Sequence, residues 1–203
     1  MSTDTYKTIS KLSEGVYKEK GSKFISYAYP VRKEDECKEI IGKIKKEYYD
    51  ARHHCYAYML GAKKKDFRAN DDGEPSSTAG KPILGQILSN DLTNLLIVVI
   101  RYFGGTKLGV SGLIHAYKTA AADAIENAEI INKTVNDIYE IFYDYLAMND
   151  VMKIIKEDEP EQLSQEFNLK CKITLSIRQK DVDRIISKFN KIDSVKTEYL
   201  KTV

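Results

Sequence analysis

Leu95-Leu96-Ile97-Val98-Val99-Ile100-Arg101-Tyr102-Phe103-Gly104-Gly105-Thr106-Lys107-Leu108-Gly109-Val110-Ser111-Gly112 is the stretch on which the fold turns. Its first six residues are consecutively apolar and rich in β-branching, the pattern of a central strand buried on both faces. Four glycines then make a turn, and Leu113, Ala116, Tyr117, Ala120, Ala124 and Ala128 recur at helical spacing to about Glu129. The narrow small-residue face of that helix predicts close packing on a sheet. A strand, glycine-rich turn and helix in series aim free backbone N–H groups and the positive end of a helix dipole at one point, which favours an anion there. Arg101 and Lys107 would add charge-assisted bonds, with Gly104, Gly105, Gly109, Ser111 and Gly112 forming the cradle. The spacing matches neither G-x-x-x-x-G-K-[ST] nor G-x-G-x-x-G, so no nucleotide loop and no cofactor is read from it. A purely structural tight turn is the other reading, and the residues alone leave both open.

Working outward toward the N-terminus, Thr5 to about Val31 reads as short strands punctuated by Gly15 and Gly21-Ser22, with Phe24, Ser26 and Ala28 alternating against Ile25, Tyr27 and Tyr29. Cys37, Ile40, Ile41, Ile44 and Tyr48 have the spacing of one amphipathic helix. A strand is expected from about His54 to Leu60, followed by a charged turn from Gly61 to Arg68. Ala69 to Gly80, ANDDGEPSSTAG, reads as a polar loop outside the core, with Ser77 or Thr78 capping a helix from about Ala79 to Ser89.

Beyond Glu129 the sequence IINKTVND is read as a connector, and the pattern restarts. A strand over Asp137–Tyr145, with Tyr139, Tyr143 and Tyr145 packed under helices, leads to a helix through Val151, Ile154 and Ile155 that ends before Pro160. A strand over 162–167 follows, with Asn168 as a turn, and then a strand over 170–178 with Cys171, Ile173, Leu175 and Ile177 on its buried face. A helix through Val182, Ile185, Ile186 and Phe189 and a strand over 195–202 close the chain. The order β-α-β-β-α-β is the ferredoxin-like unit. RNA-recognition modules share this unit but stack bases on aromatics of their central strands, and the strand over 170–178 has none. The expected domains are 1–133 and 134–203, and the fold class is α+β.

The chain of 203 residues is 42% hydrophobic and 31% charged, with a formal net charge of +2. Collagen, coiled coil and polyelectrolyte tail are thereby excluded. Up to Val135 there are 21 Lys+Arg against 17 Asp+Glu, and beyond it 11 against 13, so the halves carry +4 and −2. Neither is basic enough to imply nucleic acid by total charge. No apolar run approaches the ~20 residues of a membrane helix, and MSTDTYKTIS has no secretion-signal core, so a cytoplasmic location is expected with no membrane partner. Cys37, Cys55 and Cys171 are odd in number and widely spaced, which argues against a disulfide scaffold or zinc finger.

Three features bear on chemistry. His53-His54 at the start of a strand and Asp71-Asp72-Gly73-Glu74 in a loop offer acid–base groups, but neighbouring strand residues point to opposite faces and the loop lacks the ligand spacing of an EF-hand. No metal is assigned. Ser76, Ser77 and Ser111 lie outside G-x-S-x-G, and Cys55 within a strand reads as a buried structural thiol. His115, in the long helix, reads as an ordinary histidine.

The segments Ala51-Arg52-His53-His54-Cys55-Tyr56-Ala57-Tyr58, Asp71-Asp72-Gly73-Glu74-Pro75-Ser76 with Thr78-Ala79-Gly80-Lys81-Pro82-Ile83, and Arg101-Tyr102-Phe103-Gly104-Gly105 with Lys107-Leu108-Gly109 together resemble the IMPACT/YigZ family. The resemblance implies an N-terminal α+β domain like the second domain of ribosomal protein S5 and a C-terminal domain similar to ferredoxin-like domains of elongation factor G. Both comparisons point toward ribosomes or RNA; eukaryotic relatives are associated with translational control under amino-acid starvation, a role that involves an extra N-terminal domain and does not transfer directly. This chain departs from the family pattern at Ser77, at Ser111-Gly112, where two glycines are usual, and at His115, where an Arg is usual. Replacing a permanent cation by His115 weakens anion binding at that helix unless the ring is protonated. The expected function is a translation-associated regulator that binds RNA, the ribosome or a translation factor. In that reading Arg101 and Lys107 contact phosphate, while His53, His54, Asp71, Asp72 and Glu74 form a supporting loop. The alternatives are a phosphoester or peptide enzyme using the His53/His54 and Asp71–Glu74 cluster, and a protein-binding adaptor.

Overall fold

The computed structural model describes residues 4–167 and 170–203; the turn expected at Asn168 lies outside the described residues. Contacts divide the chain into two compact units, one from Tyr6 to Lys133 and one from Thr134 onward that also takes in Asp4 and Thr5.

In the first unit, β1 (Thr5–Ile9) pairs with β7 (Ile130–Thr134), while β2 (Ser13–Glu19), β3 (Ser22–Pro30), β4 (His53–Leu60), β5 (Asp66–Asn70) and β6 (Leu95–Tyr102) build a five-stranded sheet. Its order is β2-β3-β6-β4-β5, and every neighbouring pair is antiparallel. The apolar run of β6 is central, as its composition requires. Leu95, Ile97 and Val99 face a core shared with α2 (Gly80–Ser89) and α3 (Gly109–Glu126), whereas Leu96, Val98 and Ile100 face α1 (Glu34–Glu47) through Cys37 and Ile44. Burying both faces of one strand removes about ten apolar side chains from water with their partners, each worth roughly 2 kcal/mol.

Two polar segments expected as turn and connector are strands. The 66–70 segment becomes the edge strand β5 because only one of its sides is paired, so Asp66 and Arg68 stay in water and Phe67 is left exposed. The 130–134 segment pairs with β1, which composition alone did not show. Gly15, expected as punctuation, lies inside β2. There α3 packs so closely that a Cβ would stand 2.5 Å from the Ala124 nitrogen.

The second unit is β8 (Asn136–Asp144), α4 (Met148–Asp158), β9 (Glu161–Glu166), β10 (Lys170–Arg178), α5 (Val182–Phe189) and β11 (Lys196–Thr202). The antiparallel sheet has the order β11-β8-β10-β9. Ile141, Ile173, Leu175 and Ile177 pack with Val151, Ile155, Ile185 and Phe189 as one core. Tyr143 is buried and Tyr139 half-buried, but Tyr145 corrects the expectation of three packed tyrosines. It falls past the end of β8 in a single 3-10 turn, Tyr145–Ala147, and is 70% exposed. Among the described residues, no helix is long and apolar enough to cross a membrane.

The turn between β6 and α3 is shaped by backbone contact. Gly104 lies against the β2–β3 hairpin turn, where a Cβ would stand 1.8 Å from the Gly21 carbonyl carbon, and its N–H donates to Ser22 Oγ at 3.2 Å. By contrast, around Gly42, within α1, no described atom beyond its chain neighbours and the surrounding helix backbone lies within 4 Å of where its Cβ would be. Gly104→Ala is therefore expected to cost about 3 kcal/mol by overpacking, whereas Gly42→Ala should stabilise by about 0.5–1 kcal/mol through helix propensity. Urea unfolding of the two variants checks both signs.

Candidate functional site

The loop from Asp71 to Gly80 follows β5 and leads into α2. Asp72 (φ 41°) and Gly73 (φ 87°) both have left-handed dihedrals, and the Glu74 N–H donates to the Asp71 carbonyl at 2.9 Å, closing a turn with the two positive φ values of type I′. Asx chemistry supports it, with Asn70 Oδ1 accepting the Asp72 N–H at 2.8 Å. Three acidic side chains thereby leave one tight turn in different directions.

Asp71 reaches the start of α2. Its Oδ2 accepts the Ser77 N–H at 2.8 Å, and its Oδ1 accepts those of Ala79 at 3.0 Å and Gly80 at 2.9 Å. Burial works to raise its pKa, yet these three donors, with the Lys81 charge beyond them, outweigh it and hold the carboxyl below its ordinary value. Asp71 thus does the capping expected of Ser77 or Thr78. Thr78 is buried with its hydroxyl donating to the Pro75 carbonyl, and Ser77 has a φ of 64° that presents its N–H to Asp71.

Asp72 turns toward α1 and β4. Its Oδ1 takes the Lys45 ammonium at 2.7 Å and its Oδ2 the His54 N–H at 2.7 Å. Burial again opposes ionisation, but Lys45 and the His54 amide prevail and lower the pKa. The Asp72 carbonyl accepts from His53 Nδ1 at 2.8 Å, which fixes the proton on that nitrogen and turns Nε2 toward Glu74, 3.9 Å from its Oε1. His54 is buried, donates from Nε2 to the Tyr48 carbonyl at 3.0 Å, and leaves Nδ1 3.7 Å from Asp72 Oδ2.

Glu74 enters the core. Its Oε1 accepts Arg101 Nη1 at 2.6 Å and the Tyr117 hydroxyl at 2.8 Å, tying the loop to β6 and to α3. Arg101 is 6% exposed, its guanidinium lying between the rings of Phe24 and Phe103 at 5.5 and 5.7 Å from their centroids. Its Nε is buried without a partner. Cys55 lies alongside, its thiol donating to the Asp71 carbonyl at 3.0 Å, and burial pushes its pKa up, as it does for the Tyr117 phenol. Among the described residues, no three His, Cys, Asp or Glu side chains are placed to hold a metal ion.

The expected anion cradle is therefore divided. Arg101, expected to contact phosphate, is turned into the core by Glu74. Lys107 is exposed, as are Gly105, Gly109 and Ser111, while Gly104 and Gly112 are half-buried. Gly105 and Gly109 have φ values of 84° and 73°, so the turn needs them for its path. Among the described residues, no side chain caps α3 and no acid occupies its first turn. His115 is exposed and meets the Tyr17 ring edge-on at 5.8 Å. Sequence reasoning missed Lys45 and Tyr117, the partners of Asp72 and Glu74. Tyr117 could have been singled out as the one residue with a polar tip on the small-residue face of α3, since a buried Tyr hydroxyl requires a partner.

An antiparallel α+β unit whose glycine turn opens a long helix, joined in sequence to a β-α-β-β-α-β unit, defines a two-unit α+β protein. The chain belongs to the IMPACT family: the model of the Impact N-terminal domain matches residues 20–125, and curated members of the family resemble it. It is 35% identical over 155 residues to IMPACT family member YvyE of Bacillus subtilis, covering 76% of this chain and 71% of that one. It is 32% identical over 177 residues to an IMPACT family member of Haemophilus influenzae, covering 86% of each. A crystal structure of a hypothetical protein shares the fold with a TM-score of 0.75 over 98% of both chains, at 24% identity.

Removing Arg101 would leave Glu74 buried without its cation. Arg101→Ala is accordingly expected to lower stability by about 3–5 kcal/mol, and Arg101→Met with Glu74→Gln to recover much of that loss. Asp71 contributes stability that is present above the ordinary carboxylate range and is lost as pH falls through its depressed folded-state value. Asp71→Asn should therefore flatten the acid limb of the stability–pH curve and cost about 2 kcal/mol at neutral pH. Thermal melts between neutral and acidic pH test both.

Proposed function

We propose that this protein is a cytoplasmic regulator associated with translation, which binds RNA or the ribosome through its N-terminal unit. In this reading that unit is like the second domain of ribosomal protein S5, and the C-terminal unit, with its β11-β8-β10-β9 order, is a ferredoxin-like domain. The observation that carries the reading is the state of the turn after β6. Phe103, Gly105, Thr106 and Lys107 are exposed, and the first-turn amides of α3 meet no acidic or capping side chain among the described residues. Such amides, the helix dipole and a lysine suit a phosphate oxygen. Arg101 takes no part in the contact; it holds the floor of the turn through Glu74 and Phe103. The acidic loop supports the surface from within, because Asp71, Asp72 and Glu74 all bond to backbone or to cations of the unit itself.

Co-sedimentation with ribosomal subunits at low and moderate salt tests the reading. Binding is expected to fall steeply with salt, since each neutralised phosphate contributes about −0.9 to the logarithmic salt slope on a duplex and about −0.7 on a single strand. Lys107→Ala should weaken binding several-fold without changing the melting temperature. No detectable binding at low salt, or binding indifferent to salt, would refute it.

A further inference from the structure

The antiparallel order brings the end of β2, the start of β3, the end of β6 and the start of β4 to one end of the five-stranded sheet. Register then aligns particular residues. Lys18 stands directly opposite Lys23, Lys23 opposite Tyr102, and Arg52 immediately precedes His53, which stands opposite Arg101. Lys18, Lys23, Tyr102 and Arg52 thus follow one another across four neighbouring strand ends, a span of about 14 Å at the usual inter-strand spacing. Lys20, at the hairpin tip, and Lys107, on the turn that Gly104 packs against that hairpin, flank the row.

Like charges directly opposed in an antiparallel pair destabilise it. Lys18 and Lys23 are nevertheless exposed and, like Lys20, Arg52 and Lys107, have no carboxylate within ion-pair distance among the described residues. Three of the acids at this end are occupied elsewhere, Asp71 on the start of α2, Asp72 on Lys45 and Glu74 on Arg101, while Glu19, next to Lys18 in β2 and so on the opposite face, accepts the Tyr17 hydroxyl and keeps its charge. Asp50 reaches the row, accepting the Tyr102 hydroxyl at 2.8 Å. Beside it, Tyr49 projects with 84% of its surface exposed, and Val16, in the next row, is 48% exposed, so α1 leaves this corner of the sheet uncovered.

We infer that this row is a binding site for single-stranded nucleic acid, with Lys18, Lys23 and Arg52 on successive phosphates and Tyr49 stacking on a base. The inference rests on the RNA-binding reading above and moves the principal contact from the glycine turn to the strand ends. A single strand fits better than a duplex because an exposed tyrosine beside a cationic track can reach only unstacked bases. The acid loop turned inward is what leaves the track positive, which the near-neutral total charge conceals.

Fluorescence anisotropy with a labelled oligouridylate of about 12 nucleotides, and with an RNA duplex of similar length, tests this. Lys18→Glu with Lys23→Glu is expected to weaken oligouridylate binding at least tenfold. Lys63→Glu with Lys65→Glu, the same charge change between β4 and β5, should weaken it less than threefold. Tyr49→Ala should cost about fivefold or more, and Arg52→Glu should reduce the salt dependence. Unchanged melting temperatures confirm that these exposed substitutions leave the fold intact. Wild-type binding that survives the Lys18/Lys23 change but is lost in Lys107→Ala would overturn the row and leave the broader reading standing. Equal affinity for the duplex, or indifference to Tyr49→Ala, would overturn the single-strand assignment. Wild-type binding to neither probe and to no ribosomal subunit would defeat both readings together.

Discussion

The contact between Glu74 and Arg101 fixes the glycine-turn end of the N-terminal unit. A carboxylate and a guanidinium taken out of water each incur a desolvation cost of several kcal/mol, and they persist inside only with close geometry and further hydrogen bonds. Both are present: the ion pair is 2.6 Å long, the Tyr117 hydroxyl adds a second donor to the same oxygen, and two aromatic rings flank the cation. Because Glu74 comes from the loop after β5, Arg101 from the end of β6 and Tyr117 from α3, one oxygen atom joins three segments far apart in sequence. The glycine turn between β6 and α3 hangs from that junction, and its path is further constrained by Gly104 against Gly21.

This junction also sets the electrostatics. A loop of composition DDGE at the surface would cancel the lysines near it. Here a turn with two left-handed residues sends Asp71 to a helix terminus, Asp72 to Lys45 and the His54 amide, and Glu74 into the core. What remains at the sheet end is cationic. The +4 of the N-terminal half therefore conceals, at this end of the sheet, a loop whose acids turn onto partners of their own and a row of basic residues that faces out.

How far this was legible in the sequence depended on whether a segment's partner was local. The run Leu95–Ile100 declared itself as a central strand because six apolar residues admit few other environments, and the alternation of Lys170–Arg178 likewise named its buried face. Asp66–Asn70 and Ile130–Thr134 did not, because an edge strand or a two-stranded ribbon owes its existence to a neighbour's free N–H and C=O groups rather than to its own apolar residues. The same rule governs the site. That His53, Asp71, Glu74 and Arg101 matter could be read from residue types and from the family resemblance; that Arg101 is withdrawn from the surface could not, since its direction is set by a carboxylate 27 positions away. The row Lys18, Lys23 and Arg52 was invisible for a related reason: only strand register, not spacing along the chain, places those residues side by side.

In the C-terminal unit four cations are paired with carboxylates, and this bears on which unit meets an anion. Lys172 lies between Glu140 at 3.2 Å and Glu166 at 3.1 Å, Asp158 takes both Lys188 and Arg184, and Arg178 grips Asp4 with two bonds of 2.7 and 3.1 Å. These four basic residues thus carry counter-charges on the sheet and helices where they sit, so a phosphate approaching Lys172 or Arg178 would have to displace a carboxylate already in place. Pairs with an exposed partner, such as Lys172–Glu166, add little stability, but they neutralise the surface and weaken long-range attraction of polyanions. A net −2 beyond Val135, with four of its cations paired, disfavours phosphate there, whereas a net +4 up to Val135, with the acids of the 71–74 loop turned onto partners of their own, favours it. At the strand ends of the N-terminal unit, where the carboxylates of the 71–74 loop point matters more than how many there are.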